Sequence, residues 1–413
     1  MFDRDKWQEI FGTIRQNKLR TGLTAAGEFW GIFMLIFMMG MGAGLENGVL
    51  HEFGGRSTNS IYIWPEETSI AYKGMPVGRW EAFTIDDVKA LKAQADFIDI
   101  MAPRHMSRNI NVSYLTRSNT FDVRGEWPGV FEVEALEPIR GRVLNQNDEA
   151  QARKVAVIGR TVQEEMFPGA NPVGKYIIVR GVSFQVIGVI KFEGESRRLQ
   201  EAEESIFIPL NTSLSLFGNG KNISWFVCTV MPKIRVSDVE EDIIQFLKAR
   251  HRIAPEDQQA IGSFNLEREY RKIAGLFSGF RAFLWMVGIG TLMAGVVSVS
   301  NVMLITVKDR TREIGVRKAL GATPWSIISL ILLESVFITT LSGYVGLLLG
   351  TGIISVINAL TAGEGGSMFM NPEVNLGVSL GSLFILIVSG LLAGLLTALH
   401  AARINPVEAL RSD

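Results

Sequence analysis

Four long apolar runs constrain this chain more than any other feature. The first, Phe29 to Leu45, carries no charge, and extending it back to Leu23 makes it long enough to cross about 30 Å of hydrocarbon as a helix. Three more runs follow in the last third of the chain, at residues 282–307, 325–359 and 378–402. Clustering of apolar residues into runs of this length predicts a membrane protein with four transmembrane α-helices.

Basic residues indicate how these helices are oriented. Residues 1–22 and residues 308–318 carry five Lys or Arg each, whereas residues 319–402 carry none. Short membrane loops rich in Lys and Arg stay on the cytoplasmic side. We therefore expect both termini and the loop after the second span to be cytoplasmic, and the long segment after the first span to lie on the opposite side.

The two ends of the chain are predicted to be cytoplasmic segments of different kinds. Within residues 1–22, apolar residues recur at helical spacing between Trp7 and Ile14. This predicts an amphipathic helix that lies on the membrane interface and contacts lipid. The n-region of a cleaved secretion signal is the weaker interpretation, because the segment is long and aromatic. Residues 403–413 are predicted to be a short tail.

A large polar segment, residues 46–265, separates the first apolar run from the second. Its residues alternate as in strands at several places, among them Ser60 to Trp64 and Ser224 to Val230. Thr84 opens a helix with a capping-box start, and Ser237, with Glu240 three residues later, is predicted to cap a helix that runs to about Arg250. The pattern predicts an α+β domain outside the cytoplasm, with a middle part, at about 116–215, inserted into the rest.

Net charge and cysteine content exclude some partners and covalent links, and the apolar runs divide the rest of the chain into segments. A formal net charge of -1 provides no global field that would attract nucleic acid. Cys228 is the only cysteine, so an intramolecular disulfide is impossible, and its side chain is predicted to be buried on the strand Ser224 to Val230. The remaining predicted segments are transmembrane helices at 23–45, 266–307 (with a stalk at its outer end), 324–359 and 378–402, a cytoplasmic coupling helix at 308–323 and a Gly-rich outer loop at 360–377.

The short segment between the second and third apolar runs, residues 308–323, is rich in charged residues and is called the charged island. Asp309 to Leu320 is predicted to be a helix, because Glu313 and Arg317 form an i,i+4 pair in the favourable order and Gly321 can adopt the left-handed conformation that ends a helix. Thr323 fits the N-cap of the next helix. By charge alone the island is equally a basic loop that fixes topology and contacts anionic lipid.

The order of residues in the island is more specific than its charge. It runs through Arg310, Thr311, Arg312, Glu313, Ile314 and Gly315, then Arg317, Ala319, Gly321 and Ala322. This order closely resembles the coupling segment of MacB-type permeases of ABC transporters, in the FtsX-like superfamily. The resemblance implies that these ten residues dock onto a separate ATPase, which binds the ATP and Mg²⁺, and that this chain has no cofactor and no ATPase domain of its own.

Further motifs extend the resemblance over nearly the whole chain. They are Gly141-Arg142, Val155 to Gly159, Phe167 to Lys175, Val186 to Val189 and, at the end, Ala402 to Arg411. In MacB-like permeases the first four lie in a periplasmic domain with an α/β porter part and an inserted sabre part. The resemblance therefore agrees with the predicted split of the outer domain and implies a multi-pass protein of a bacterial inner membrane.

The resemblance implies a permease subunit that is not itself an enzyme. A homodimer or pseudo-dimer of permeases is expected to bind two cytoplasmic ABC ATPase subunits and to work by mechanotransmission. In that mechanism, ATP-driven closing of the ATPases moves the outer domains without passing substrate through the bilayer. Expected cargoes are peptides, antibiotics, toxins or lipoproteins, which many family members hand to a periplasmic adaptor and an outer-membrane channel.

Two other functions fit parts of the sequence. An FtsX-like transmitter that activates an extracytoplasmic cell-wall hydrolase is expected to have a shorter outer domain than residues 46–265. A membrane receptor needs a cytoplasmic output module, and no predicted cytoplasmic stretch exceeds a short helix. The exporter permease is therefore the favoured interpretation.

Two short stretches match the sequence patterns of catalytic or nucleotide-binding sites. Gly169 to Lys175 fits G-x-x-x-x-G-K, but Tyr176 stands where a phosphate-binding loop needs Ser or Thr. The residues before this motif are predicted to be helical and those after it a strand, which reverses the order of a phosphate-binding loop. Gly377 to Gly381 fits the nucleophile elbow of hydrolases, yet it heads a membrane helix. We predict a turn at the first motif and helix packing at the second.

Two carboxylates interrupt the predicted spans, Glu28 near the cytoplasmic end of the first and Glu334 in the third. With a rise of about 1.5 Å per residue from Pro324, Glu334 lies about 15 Å along its helix. A charge there costs about 2.5 to 3.5 kcal/mol on insertion scales, so Glu334 is expected to face protein, either as a contact that shifts during transport or as a fixed packing hydrogen bond. MacB-like permeases carry a glutamate at this place, but the resemblance offers no counterpart of Glu28.

Overall fold

The computed structural model describes residues 12, 15, 18–51, 57–191, 201–218, 220–361, 371–372 and 376–402. The chain forms two compact units, a helical unit from Met1–Val49 with Leu276–Asp413 and an α+β unit, Leu50–Gly275. Most of the predicted interfacial helix, most of the predicted outer loop at 360–377 and the predicted tail lie outside the described residues.

The described residues form helices and strands in the following order along the chain. They are α1 Lys18–His51, β1 Ser60–Pro65, α2 Ile85–Gln94, β2 Ile98–Tyr114, β3 Arg117–Glu126, α3 Gly129–Val133, β4 Pro138–Gly141, α4 Gln146–Ala150, β5 Val155–Gly159, α5 Arg160–Met166, β6 Tyr176–Val179, β7 Val182–Ile190, β8 Ser205–Pro209, α6 Leu210–Phe217, β9 Trp225–Val230, α7 Val236–Arg250, β10 Ile261–Asn265, α8 Leu266–Asp309, α9 Thr311–Ala319, α10 Pro324–Thr361 and α11 Leu376–Ala402.

Four of these helices, α1, α8, α10 and α11, are long and apolar enough to cross a membrane, and no other helix in the described ranges is. The predicted stalk and second span form one uninterrupted helix of 44 residues, α8. The helix α1 runs beyond its predicted span at both ends, because its polar flanks contain no proline that would end it, and α10 runs two residues beyond its predicted C-terminal end.

Small residues allow α1 to pack closely on α10. Gly343, Gly346 and Gly350 recur on one face of α10, and all three are buried. A Cβ atom built on Gly346 would lie only 2.8 Å from the carbonyl oxygen of Phe29 and 3.3 Å from Ile32. Only glycine fits this approach, so these positions bring the two helix backbones together as in other membrane helix pairs.

The α+β unit is built on one ten-stranded sheet, in the order β10-β1-β9-β2-β3-β8-β5-β7-β4, with β6 beside β2 and β7. The strand β2 has 17 residues. It pairs with β9 along its first part and with β6 near its end. The middle part predicted at about 116–215 therefore has no sheet of its own among the described strands, because β3 continues the sheet from β2. Local alternation could not show this, since it does not encode which distant strands pair.

Alternation along the strands sends side chains to two different faces of this sheet. On one face, Ile61, Phe226 and Cys228 are buried in a core formed with α2 and α7. Their sequence neighbours Tyr62 and Trp225 lie on the other face, where their rings approach to 5.6 Å between centroids. The predicted burial of the single cysteine is confirmed.

Two local features of the α+β unit agree with their predictions, and one does not. Thr84 forms a capping box with Asp87 at the start of α2, as predicted. The predicted cap at Ser237 is wrong, because α7 begins at Val236 with Arg235 in the N-cap position. The segment before Lys175 is a turn between α5 and β6, which confirms the interpretation that it is no phosphate-binding loop.

Candidate coupling site between the second and third spans

The charged island forms α9, a helix of nine residues that runs from Thr311 to Ala319. It is shorter than predicted, because α8 continues to Asp309 and Arg310 then takes the N-cap position with φ of -98° and ψ of 12°. The backbone therefore turns at Arg310, between the second span and the coupling helix.

The far end of α9 closes with the caps that the sequence predicts. Gly321 has a φ of +96°, in the left-handed region that favours glycine. The amide of Ala322 donates to the carbonyl oxygen of Arg317 at 3.0 Å, which satisfies one of the last carbonyls of the helix. The Thr323 hydroxyl then accepts a hydrogen bond from the Ser326 amide at 3.3 Å, at the start of α10.

Glu313 binds two arginines. Its Oε2 accepts a hydrogen bond from Nε of Arg310 at 3.0 Å, and its Oε1 accepts one from Nη2 of Arg317 at 2.8 Å. The hydrogen bond from Arg310 is the main cause that lowers the pKa of Glu313 below its usual range, and Arg317 adds to it. The carboxylate is thus ionised at neutral pH. It connects Arg310, at the N-cap of α9, to Arg317 in the last turn of the helix.

Arg310 also reaches the third span. Its Nη1 lies 3.8 Å from Oε2 of Glu334, whose side chain is 7% exposed. A cavity of about 90 Å³ lies at this place, lined by Met303 of α8, by Ile331 of α10 and by these charged groups, Glu313 included. The carboxylate inside the third span therefore faces the coupling segment.

The helix α9 has one buried side and one exposed side. Ile314 is 8% exposed and packs in a cluster with Val307, and Gly315 is buried beside it. On the other side, Leu320 is 83% exposed and Val316 is 43% exposed. The buried side fastens α9 to the membrane helices, and the exposed side is the one that a partner can reach.

The ten residues singled out from the sequence divide between these sides. Five of them line the cavity, namely Arg310, Glu313, Ile314, Arg317 and Ala322. Arg312, Ala319 and Gly321 are exposed, and the Thr311 hydroxyl donates to a backbone carbonyl of α8. Sequence reasoning missed Val316 and Leu320. Their signal was available, since they are apolar residues four positions apart on a charged helix.

Glu28 belongs to a different place in the bundle. It is 1% exposed, and its Oε1 accepts a hydrogen bond from Oγ1 of Thr339 at 2.8 Å. Gly295 of α8 faces it, since a Cβ built there would lie 3.7 Å from the Glu28 Cα. Within the described part of the chain, its second oxygen has no hydrogen-bond partner. Glu28 thus connects α1 to α10 and does not line the cavity at Glu334.

Four candidate spans, a large α+β unit and a charged helix between the second and third spans define a multi-pass membrane protein. Residues 21–246 match the family model of the MacB-like periplasmic core domain, and residues 285–406 match that of the FtsX-like permease C-terminal region. The first match alone covers more than half of the chain. The chain belongs to the family of MacB-like ABC exporter permeases, which confirms the resemblance seen in its motifs.

Curated proteins with similar sequences support the same family assignment. The macrolide export ATP-binding/permease protein MacB of Marinobacter nauticus is 30% identical, over 98% of this chain and 61% of that protein. The pyoverdine export ATP-binding/permease protein PvdT of Pseudomonas putida is 29% identical, over 96% of this chain and 58% of that protein. The chain thus spans about three fifths of the length of these relatives.

Solved structures of similar proteins include the periplasmic region of MacB from Actinobacillus actinomycetemcomitans. It is 21% identical to this chain, with a TM-score of 0.43, and the match covers 53% of this chain and 94% of that one.

Proposed function

We propose that this chain is the permease component of an ABC exporter and that α9 joins it to a cytoplasmic ATPase subunit. The observation that carries the proposal is the two-sided character of α9. Arg310 connects its buried side to Glu334 in the third span, while Val316 and Leu320 are exposed on the other side. Apolar residues at i and i+4 on a short helix are the anchors with which such a helix docks into a groove.

The mechanism that fits this arrangement is mechanotransmission. ATP-driven closing of the ATPase subunits displaces α9, and the Arg310–Glu313 pair and the packed buried side of α9 pass the displacement to the membrane helices. The helix α8 is uninterrupted over 44 residues, so it can carry the motion across the bilayer without a break. The α+β unit then moves outside the cytoplasm, where it acts on the cargo without a path through the bilayer.

The proposed assembly follows from the same mechanism. Two permeases, as a homodimer or pseudo-dimer, bind two ATPase subunits that hold the ATP and Mg²⁺. The assembly lies in a bacterial inner membrane with both termini of this chain in the cytoplasm and the α+β unit in the periplasm. The names of the relatives support export of antibiotics or other small molecules, and peptides, toxins and lipoproteins belong to the same proposal. A periplasmic adaptor and an outer-membrane channel complete the export route.

The substitution Leu320→Glu tests the docking surface. Leu115 is the matched control, because it is 85% exposed, nearly the same as Leu320, but lies in the α+β unit. We expect Leu320→Glu to reduce co-purification of the ATPase in mild detergent by about tenfold, since a charge buried in an apolar contact loses its hydration without gaining a partner. Leu115→Glu should retain the ATPase. Full retention of the ATPase by Leu320→Glu would contradict the proposed docking.

A further inference from the structure

The α+β unit contains a cavity of about 370 Å³, on the face of the sheet that Tyr62 and Trp225 share. Its floor consists of side chains from directly paired strand positions. Arg104 of β2 lies opposite Glu126 of β3 and opposite Trp225 of β9, and Met106 lies opposite Arg124. The volume falls within the range of about 300 to 1,000 Å³ that is usual for small-molecule sites.

Two arginines in this floor are buried, each only 3% exposed, but among the described residues only Arg104 forms ion pairs. Arg104 forms ion pairs with Glu126 and with Glu134. Arg124 has no hydrogen bond or ion pair to any residue that the structure describes; its Nε is fully buried, and its Cζ lies 5.6 Å from the centroid of the Phe207 ring. Burial, together with the charge of Arg104, lowers the pKa of Arg124 to about 10, although Glu134 and two other carboxylates act in the opposite direction, so the guanidinium remains charged at neutral pH.

Aromatic rings form the walls of the cavity. The Trp225 ring lies 4.2 Å from Cζ of Arg104, measured to the ring centroid. The Tyr62 ring lies 5.6 Å from that of Trp225 and 6.3 Å from that of Phe264, and Trp64 adds a fourth ring to the lining. Walls of this kind offer a large rigid apolar surface, which suits a flat ligand.

A buried charge without a partner is unfavourable unless something pairs with it. We propose that this cavity binds a small organic acid with a flat apolar body. The acid group pairs with Arg124, whose guanidinium can donate two parallel hydrogen bonds to one carboxylate. The body of the ligand lies against Trp225 and Phe264. This binding site is additional to the coupling function proposed above and does not depend on the ATPase.

The full chain in lipid nanodiscs can be titrated with 2-naphthoate and with 2-naphthamide, its neutral analogue of the same shape. Calorimetry, with empty nanodiscs subtracted, gives both affinities. We expect the wild type to bind the acid about tenfold more tightly than the amide, and Arg124→Gln to abolish this preference. Arg117→Gln, at an exposed position on the same strand, is the matched control and should keep it. Trp225→Leu should weaken the binding of both probes.

Thermal unfolding of each variant separates a binding role from a structural one. Arg124→Gln should keep or raise Tm, because it removes an unpaired buried charge. A lower Tm would show that Arg124 supports the fold and would overturn the proposal. Equal affinity for acid and amide in the wild type, no binding of either, or unchanged binding of the acid by Arg124→Gln would overturn it as well. Inorganic phosphate is the third probe, and binding as tight as that of 2-naphthoate would refute the role of the aromatic walls.

Discussion

The Arg310 guanidinium lies 3.8 Å from the Glu334 carboxylate, although one residue precedes the coupling helix and the other lies well inside the third span. The same guanidinium also pairs with Glu313 on α9. A single cation therefore connects α9 to α10, next to the end of α8. This arrangement gives a physical reason for a carboxylate at a membrane depth where a lone charge would be costly.

A double-mutant cycle measures whether Arg310 and Glu334 interact. We expect Arg310→Gln and Glu334→Gln each to lower the free energy of unfolding in detergent, and the double variant to be more stable than the sum of the two effects by about 0.5 to 3 kcal/mol. The matched cycle uses Arg312→Gln, since Arg312 is exposed on α9 and does not line the cavity. In that second cycle, the effects of the two substitutions on the free energy of unfolding should add within about 0.5 kcal/mol. Additivity in both cycles would show that the 3.8 Å approach carries no interaction.

Export by Glu334→Gln separates the two roles that the sequence leaves open. The amide keeps the shape and the hydrogen-bonding capacity of the side chain and removes its charge. We expect export close to that of the wild type, because a fixed packing contact tolerates this exchange. A folded variant that binds the ATPase but does not export would instead place Glu334 in the moving machinery.

Reversing the charge of Glu313 should disconnect ATP hydrolysis from export. In Glu313→Lys, the two hydrogen bonds from Arg310 and Arg317 are replaced by repulsion between like charges. We expect the protein to fold and insert, and export to fall strongly while the ATPase still hydrolyses ATP. Glu164→Lys is the matched control, because Glu164 forms a comparable exposed i,i+4 pair with Arg160 in the α+β unit. Wild-type export by Glu313→Lys would exclude a coupling role for Glu313.

Cysteine labelling tests the orientation in the membrane. The native Cys228 is fully buried, and burial raises the pKa of its thiol to about 12, so it should contribute little background. Leu115→Cys and Leu320→Cys place thiols at two positions of nearly equal exposure. In spheroplasts that lack the ATPase subunit, which would cover Leu320, a membrane-impermeant maleimide should label Leu115→Cys without permeabilisation and Leu320→Cys only after it. The opposite pattern would refute the proposed topology.

The stability of the α+β unit should depend on pH through Asp87, which connects α2 to α7. Burial by itself would raise the pKa of Asp87, but hydrogen bonds from His251, Arg250 and Thr84 outweigh it and lower the pKa below its usual range. A lowered pKa stabilises the folded state fully above the unfolded value of about 3.9, and this contribution is lost as the pH falls further.

The substitution Asp87→Asn tests this dependence. We expect it to destabilise the protein by about 1 to 3 kcal/mol at pH 7, because Arg250 and His251 lose an ionised acceptor that is itself buried. The difference from the wild type should shrink as the pH falls from about 5 towards 2. Asp86→Asn, at an exposed ion pair with Lys221, should change little at any pH. A difference that stays constant over this pH range would contradict the assignment.

The sequence by itself determined the elements that local signals control. The four long helices follow from uninterrupted apolar runs, and the end of α9 follows from Gly321 and Thr323, because helix formation and capping depend on residues within a few positions of one another. Only the tertiary structure decided which distant groups meet. Glu334 faces Arg310, and Arg124 lies in a ring-lined cavity without an ion pair to any described residue, because helix packing and strand register set these contacts. The sheet that joins both parts of the α+β unit depends in the same way on pairing between strands far apart in the chain, which local periodicity does not encode.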